Sequence, residues 1–253
     1  MVLFSSLLSG LLSVSEQTTR MVAYISIAAA AVLFGMIFLI CFAKRKHPEN
    51  NGQDLNIATK QGAKQGAKRL ALAGMTLGLS FALSYLKFSP VTSGGSITLA
   101  SMAPLLIYAY FYGVAEGLLV GLIFGLLNFI SGPWILTPMT FILDYLLAYG
   151  SIGLMGFSGK LQRKKQNQTL VVAIGVLIVY IARFTCHLCS GFIYFAESSI
   201  WVEFPDWALA NPFIYSFIYQ CLYLPFDCLI TLLVLGILAK TGALQRLKKG
   251  VLS

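Results

Sequence analysis

The sequence predicts an all-α integral membrane protein: a bundle of six transmembrane helices preceded by one additional transmembrane helix. Of its 253 residues, 58% are hydrophobic and only 11% are charged, and the mean hydropathy is +0.80. Soluble domains have about 25% charged residues. Several apolar runs also reach the roughly 20 residues that a helix needs to cross a bilayer. Helices that span a membrane are therefore expected along most of the chain.

Seven apolar runs predict the spans, and polar or basic stretches separate them. In chain order the predicted spans are Met21–Ala43, Leu70–Phe88, Ile97–Tyr112, Val114–Ser131, Thr137–Ser158, Thr169–Ala196 and Pro212–Ala239. The chain accordingly divides into an N-terminal segment with the additional helix (1–43), a basic linker (44–69), a six-helix domain (70–239) and a basic tail (240–253).

Basic residues cluster in three segments that flank these runs. Seven of the eighteen Lys and Arg residues fall within 44–69, four within 160–165 and four within 240–249. Cytoplasmic loops of membrane proteins carry such an excess of positive charge. The pattern predicts a cytoplasmic C-terminus and an N-terminus outside. The net charge of +9 is thus interpreted as a topology signal, and no nucleic-acid partner is expected.

Motifs for catalysis are not found. The sequence has no GxxxxGK[ST] phosphate-binding loop and no GxSxG nucleophile motif. The segment CHLC, at 186–189, has two cysteines around a histidine, but two sulfurs supply only half of a tetrahedral metal site. The sequence predicts neither an enzyme, nor a metal site, nor a bound cofactor.

Four ionisable residues lie well inside the predicted spans of the six-helix domain: Asp144, Arg183, His187 and Asp227. A charged side chain in the middle of a bilayer costs about 2.5 to 3.5 kcal/mol on insertion scales, so each one needs a partner or a polar cavity. Asp144 and His187 both belong to the outer half of their spans. Arg183 shares a helix face with His187, because residues four apart project from the same side.

Two interpretations of these residues follow. In the first, Asp144 and Arg183 form an ion pair that holds two helices together. In the second, they line a polar pocket that opens to the outside, and nearby aromatic residues favour this interpretation. These aromatic residues are Trp134, Tyr145, Phe195, Tyr215, Tyr219 and Tyr223. A carboxylate among aromatic rings suits an aromatic, cationic small molecule, through charge pairing and cation–π attraction.

Small residues recur at four-residue spacing in two places. Gly74, Gly78 and Ala82 form one stripe, and a second stripe of four glycines runs from Gly113 to Gly125. Stripes of this kind let helix backbones approach closely in lipid. They predict helix contact faces, either within the protein or with a partner subunit.

Five segments in sequence order carry a family resemblance: GGSITLASMAPLLIYA, GLIFGLLNF, LDYLLAY, ARFTCHLCSGFIYFA and YSFIYQCLYLP. Over roughly residues 70 to 239 the chain resembles the thiamine-specific substrate-binding subunits (S components, ThiT family) of energy-coupling factor vitamin transporters. The resemblance implies a six-helix S component in a prokaryotic plasma membrane. It also implies thiamine as the ligand, and a coupling protein and two ATPases as partner subunits.

The resemblance also implies a set of site residues. The substrate-binding positions are Trp134, Asp144, Tyr145, Arg183, His187, Gly191, Phe195, Tyr215 and Gln220. The stripe of Gly74, Gly78 and Ala82 corresponds to the face that docks on the coupling protein. The chain departs from the family pattern at two positions. Gln220 replaces the usual asparagine, and Phe195 stands where some members have tryptophan. The Pro- and Gly-rich stretch at 87–96 is expected to form a lid.

Three alternatives remain open at this point. The chain could be an S component for another vitamin, such as riboflavin or a pyrimidine precursor. It could be a stand-alone proton-coupled carrier that uses Asp144 and His187 as a relay. It could also be a membrane scaffold protein without transport function, which would tolerate substitution of both residues.

Overall fold

The computed structural model describes residues 55–90, 96–132, 138–161, 167–197 and 211–252, and these ranges are almost entirely helical. The helices are α1 (Leu55–Ser84), α2 (Ala103–Tyr112), α3 (Val114–Ser131), α4 (Pro138–Leu161), α5 (Gln168–Glu197), α6 (Pro212–Cys221), α7 (Leu224–Lys240) and α8 (Ala243–Leu252). Two short strands, β1 (Lys87–Pro90) and β2 (Ser96–Thr98), connect α1 to α2. The predicted first span, Met21–Ala43, lies outside the described residues.

Within the described ranges, four helical stretches are long and apolar enough to cross a membrane. They are Val114–Ser131, Pro138–Leu161, Gln168–Ile193 and Pro212–Lys240. The predicted span at Ile97–Tyr112 is helical only from Ala103, so α2 is shorter than the roughly 20 residues of a full span. The protein is therefore a helical, multi-pass membrane protein, although the predicted number of six core spans is not confirmed.

Helix α1 begins fifteen residues earlier than the predicted span at Leu70, and its first half runs through the basic linker. The stretch LNIATKQGAKQGAKR is rich in Ala, Gln, Lys and Arg, which are good helix formers, and it contains no proline. The sequence thus favours a helix there even without an apolar face. The apolar part of α1 follows from Leu70 to Ser84.

The hairpin of β1 and β2 is a departure from the predicted all-α fold. The strands pair antiparallel, with Lys87 opposite Thr98 and Pro90 opposite Ser96, and the register shifts between Lys87 and Ser89. This segment contains the stretch predicted as a lid loop, whose residues 91–95 are outside the described part. The described strands fix both ends of that stretch at the end of the bundle where α1 ends.

The last predicted span is broken into α6 and α7. Residues Leu222 and Tyr223 form the break, and Pro225 lies in the first turn of α7. Proline has no backbone N–H, and its ring clashes with the carbonyl of the residue four positions before it. A continuous helix across this position is therefore unfavourable, and the chain starts a new helix at Leu224.

Glycines set the close contact between α3 and α4. A Cβ atom on Gly121 would overlap the backbone carbonyl of Tyr149, and one on Gly125 would overlap that of Tyr145. Gly117 similarly packs against Ala109 of α2. The stripe predicted as a contact face is thus internal at these three positions. It brings the first half of α4, with Asp144, tightly against α3.

Helix α4 changes its winding along its length. Its first turn is α-helical, Ile142–Leu147 is a π-helix, and Ser151–Leu154 is a 3₁₀-helix. In the π segment the N–H of Ala148 donates to the carbonyl of Leu143, five residues earlier. Short π segments inside helices are frequent at functional sites. Asp144 and Tyr145 both lie in this widened turn.

Candidate functional site

A cavity of about 260 Å³ lies at one end of the helical bundle. Its wall is built from the last turns of α1 and α3, the first half of α4, the second half of α5, helix α6, the first turn of α7 and strand β2. The volume is just below the roughly 300 to 1,000 Å³ typical of small-molecule sites. Lys160 and Lys240 lie in the last turns of α4 and α7, so the cavity and these two charges lie at opposite ends of the bundle.

The structure brings seven of the nine predicted binding residues to the wall of this cavity. They are Asp144, Tyr145, Arg183, His187, Gly191, Tyr215 and Gln220. Of the other two, Trp134 lies outside the described residues, and Phe195 lies on α5 where no side chain is described. The role of all nine in binding a substrate remains a prediction.

Asp144 and His187 are direct partners across α4 and α5. Nδ1 of His187 lies 2.7 Å from Oδ1 of Asp144, and the hydroxyl of Ser190 donates to the other carboxylate oxygen. On its opposite side, the His187 ring accepts the Nε–H of Arg183 at Nε2, at 3.3 Å. His187 thus contacts Asp144 through one ring nitrogen and Arg183 through the other.

The first interpretation from the sequence, an Asp144–Arg183 ion pair, is wrong. Arg183 pairs instead with Asp227 of α7, with 3.4 Å between Nη1 and Oδ2, and both side chains are buried. Its guanidinium also lies over the ring of Tyr149, 4.8 Å from the centroid. The sequence could not reveal this pairing because it depends on how α5 and α7 face each other after the break at Leu222 and Tyr223.

The site residue that the sequence analysis missed is Asp227. The sequence does show it as an ionisable residue inside a predicted span. Because a buried carboxylate needs hydrogen-bond donors, that position alone indicates that Asp227 has polar partners. Its partner could not be identified without the fold. The cavity also contains polar residues that gave no sequence signal, namely Thr98, Ser101, Asn128, Thr140, Ser190 and Ser216.

Tyrosines form much of the aromatic wall. Tyr215 and Tyr219 of α6 lie nearly parallel, with ring centroids 6.3 Å apart, and Tyr223 packs edge-to-face on Tyr219 at 5.7 Å. Tyr145 of α4 lines the cavity from the other side and packs edge-to-face on Phe129. These rings border the same cavity as the Asp144 carboxylate. The π faces of such rings attract cations and stack on aromatic ligands.

Gln220 and Gly191 shape the boundary between α5 and α6. The Gln220 side chain donates from Nε2 to the carbonyl of His187 at 3.2 Å, and its Oε1 accepts the hydroxyl of Tyr223 at 2.5 Å. A Cβ atom on Gly191 would overlap the hydroxyl of Ser216. Gln220 thus holds the backbone at His187 and the hydroxyl of Tyr223. Its side chain, which is longer than the asparagine usual in the family, reaches both groups.

Two further points concern possible metal ligands and the small-residue stripe on α1. Among the described residues, no group of three or more His, Cys, Asp and Glu side chains is placed to hold a metal ion. In the stripe on α1, a Cβ atom on Gly74 or Gly78 would meet no atom within 4 Å, and Ala82 is exposed. The stripe is therefore an open face of the described part of the protein. Whether a partner docks on it remains a prediction.

Comparison with known proteins identifies the family and the fold. The family model described as "Thiamine transporter protein" matches residues 70–246. The thiamine transporter ThiT of Bacillus subtilis is 29% identical over 162 residues, which cover 61% of this chain and 80% of that protein. The solved structure of ThiT from Listeria monocytogenes superposes with a TM-score of 0.57 at 21% identity, over 68% of this chain and 93% of that chain.

The family match covers most of the helical part of the chain, and the solved structure has the same fold. The family and the Bacillus subtilis relative are described as transporters, not as enzymes. Four helical stretches in the described residues are long and apolar enough to cross a membrane. The chain therefore belongs to the thiamine transporter protein family, as a multi-pass membrane protein of the transport class.

Proposed function

We propose that this protein is the substrate-binding membrane subunit of an energy-coupling factor importer and that it captures thiamine from outside the cell. Thiamine joins an aminopyrimidine ring to a permanently cationic thiazolium ring. The observation that carries the proposal is the Asp144 carboxylate, which His187 and Ser190 hold at the wall of an aromatic cavity. The names of the family and of the relatives support the choice of thiamine.

Charge balance in the cavity favours a cationic ligand. Arg183 is paired with Asp227, and Lys87, which also borders the cavity, is exposed to solvent. Among the described residues that line the cavity, Asp144 therefore has no permanently charged partner. In a site of reduced dielectric constant, a cation near this carboxylate is attracted more strongly than in water.

The proposed binding mode follows from these positions. The Asp144 carboxylate accepts a hydrogen bond from the amino group of the pyrimidine, or it balances the positive charge of the thiazolium ring. The rings lie between tyrosine faces of α4 and α6, with Phe195 and Trp134 as further predicted aromatic contacts. His187 and Arg183 form the inner wall. Gly191 lets α5 pack closely against Ser216 of α6, and Gln220 positions Tyr223.

The proposed orientation places the cavity on the outer side. The basic ends of α4 and α7 lie opposite the cavity, and basic ends face the cytoplasm in most membrane proteins. This orientation gives a cytoplasmic C-terminus and an outer N-terminus in a prokaryotic plasma membrane. The open stripe of Gly74, Gly78 and Ala82 is the proposed docking face for the coupling protein, which works with two ATPase subunits.

The first experiment is binding of thiamine to the purified protein in detergent by quenching of tryptophan fluorescence, repeated by isothermal titration calorimetry. Saturable binding of thiamine, and not of riboflavin or of an isolated pyrimidine, supports the proposal. Binding of another vitamin with thiamine excluded would keep the S-component assignment and replace the ligand. Absence of binding by any vitamin, in folded protein, would favour the scaffold alternative.

A second candidate function is proton-coupled transport, and the direct contact between Asp144 and His187 favours it. A hydrogen-bonded pair of ionisable side chains inside a membrane is typical of proton paths. Transport assays in proteoliposomes that contain this protein alone distinguish the two functions. Thiamine accumulation driven by a proton gradient without ATPases would establish the carrier. Accumulation only with the coupling protein, the ATPases and ATP would establish the importer.

A further inference from the structure

Asp227 is a buried carboxylate that accepts hydrogen bonds from other groups in addition to its ion pair with Arg183. It lies in the first turn of α7 and is 3% exposed. Four donors reach its two oxygens. Oδ1 accepts the N–H of Thr98 at 3.2 Å and the Thr98 hydroxyl at 2.8 Å, while Oδ2 accepts the Tyr180 hydroxyl at 2.8 Å and Nη1 of Arg183 at 3.4 Å.

These four contacts fill the hydrogen-bonding capacity of the carboxylate. An ionised carboxylate offers about four lone-pair sites. Asp227 borders the cavity, but its acceptor positions are already occupied by protein groups. A direct hydrogen bond from a ligand would have to displace one of them. The geometry therefore indicates a residue that positions its neighbours rather than one that contacts the ligand.

On one side, Asp227 holds the hairpin. Thr98 is the last residue of β2 and pairs with Lys87 of β1. It gives Asp227 both its main-chain and its side-chain donor, and its hydroxyl lies 2.8 Å from that of Ser101. Because a two-stranded hairpin is marginally stable by itself, this attachment to α7 fixes where β2 lies against the cavity.

On the other side, Asp227 holds the inner wall. It accepts from Arg183, which donates to His187, which in turn contacts Asp144. A continuous series of polar contacts thus connects β2 to the carboxylate proposed to bind the cation. Members of one hydrogen-bond network act on each other through their shared partners, so a change at Asp227 is expected to act on Asp144 through Arg183 and His187.

We propose that Asp227 is a positioning residue that holds β2 and Arg183 in the arrangement that binds the ligand. Its effect on affinity is exerted through Thr98 on one side and through Arg183 and His187 on the other. The identity of the ligand rests on the proposed function, whereas the attachment of β2 does not.

Two variants of the full chain test this inference. Asp227→Asn removes the charge and weakens both attachments. Thr98→Val removes one donor and leaves Arg183 and Asp227 paired, so it remains informative if Asp227→Asn does not fold. Thr98→Ser keeps the hydroxyl and is the conservative control. Glu116→Gln is a second control, because Glu116 lies in the first turn of α3, away from the cavity, and accepts the Tyr108 hydroxyl.

The first measurement is hydrogen–deuterium exchange of the ligand-free protein. In Asp227→Asn and Thr98→Val, we expect peptides covering residues 96–99 to exchange about tenfold faster than in the parent protein, since a charge-assisted bond is weakened or a hydroxyl donor is removed. Thr98→Ser and Glu116→Gln should exchange like the parent. Unchanged exchange in both Asp227→Asn and Thr98→Val would overturn the inference without any reference to a ligand.

The second measurement is thiamine affinity by calorimetry. Both Asp227→Asn and Thr98→Val should bind about tenfold more weakly, and Thr98→Ser should bind like the parent. Faster exchange combined with unchanged affinity would show that Asp227 attaches β2 but does not position the site, which overturns the proposed role. If the parent protein binds no thiamine, the proposed function is wrong, and the exchange experiment still decides whether Asp227 holds β2.

Discussion

Nδ1 of His187 lies 2.7 Å from Oδ1 of Asp144, and this contact joins α5 to α4 at the cavity wall. Arg183 donates to the opposite ring nitrogen of His187, so the imidazole lies between Asp144 and Arg183. These contacts hold the partly exposed Asp144 side chain at the cavity wall, where it joins α4 to α5.

The Asp144→Asn substitution tests the carboxylate. It keeps the size of the side chain but removes the charge, so we expect thiamine affinity to fall at least about tenfold, equivalent to a loss of about 1.4 kcal/mol. The measurement is calorimetric titration of the purified variant. Glu116→Gln, which neutralises a carboxylate away from the cavity, should leave affinity unchanged. Equal affinity of Asp144→Asn and the parent protein would remove Asp144 from the site.

The partnership of His187 and Asp144 predicts non-additive effects. His187→Ala alone should weaken thiamine binding because Asp144 keeps only the Ser190 donor, but it should have much less effect in an Asp144→Asn background. A coupling energy of about 0.5 to 3 kcal/mol is expected for two residues in one hydrogen-bond network. Affinities of the parent, both single variants and the double variant give this value. Strictly additive losses would mean that the two residues act independently.

Tyr215 separates a role of the ring from a role of the hydroxyl. If its π face attracts the ligand, Tyr215→Phe should bind nearly as well as the parent, while Tyr215→Ala should lose about 0.5 to 2 kcal/mol. Titration of both variants with thiamine makes the comparison. A loss in Tyr215→Phe as large as that in Tyr215→Ala would instead assign the contribution to the hydroxyl.

Gly125 tests the close contact of α3 and α4. In Gly125→Ala the new methyl group would overlap the carbonyl of Tyr145, so we expect a destabilisation of about 1 to 3 kcal/mol. Gly74→Ala is the matched control, because no atom lies within 4 Å of its Cβ position and alanine favours a helix. Thermal unfolding in detergent should show a lower midpoint for Gly125→Ala alone. Identical midpoints would contradict the described packing.

Gly78 tests the proposed docking face. Gly78→Leu adds a large side chain to an open surface, so thiamine binding in detergent should be unchanged while uptake with the coupling protein and ATPases is lost. Gly236→Leu on α7 is the matched control, since its Cβ position is equally open. Uptake that survives in Gly78→Leu, or is lost equally in both variants, would argue against this stripe as the docking face.

The features that follow local rules could be predicted from the sequence. The span of α3 was predicted with its observed ends, Val114 and Ser131, because a continuous apolar run sets them. The shared face of Arg183 and His187 follows from helical spacing. The internal contacts of Gly121 and Gly125 were predicted as contact faces, although their partner in α4 was not identified.

The features that depend on packing between distant segments could not be predicted. The pairing of Arg183 with Asp227 depends on how α7 turns after the break before Leu224, so the sequence suggested Asp144 instead. Residues 87–96 were expected as a loop because their composition is rich in Pro, Gly and Ser, and Ile97 and Thr98 were expected to begin a helix. The pairing of β1 with β2 gave no sequence signal. The link from Thr98 to Asp227 joins residues 129 positions apart, and it appears only when both segments meet at the cavity.

The π segment of α4 has a consequence for how such a site could arise and diversify. A π turn contains one more residue than the α turn it replaces, so it behaves like a single-residue insertion that the helix has absorbed. Removing one residue from Ile142–Leu147 would close this turn to α-helical geometry. The contact of Gly121 with Tyr149, beyond the segment, would stay in register. A single-residue change in this turn would thus alter the direction of Asp144 and Tyr145 while the surrounding bundle is kept, which is a short route to a different cavity wall.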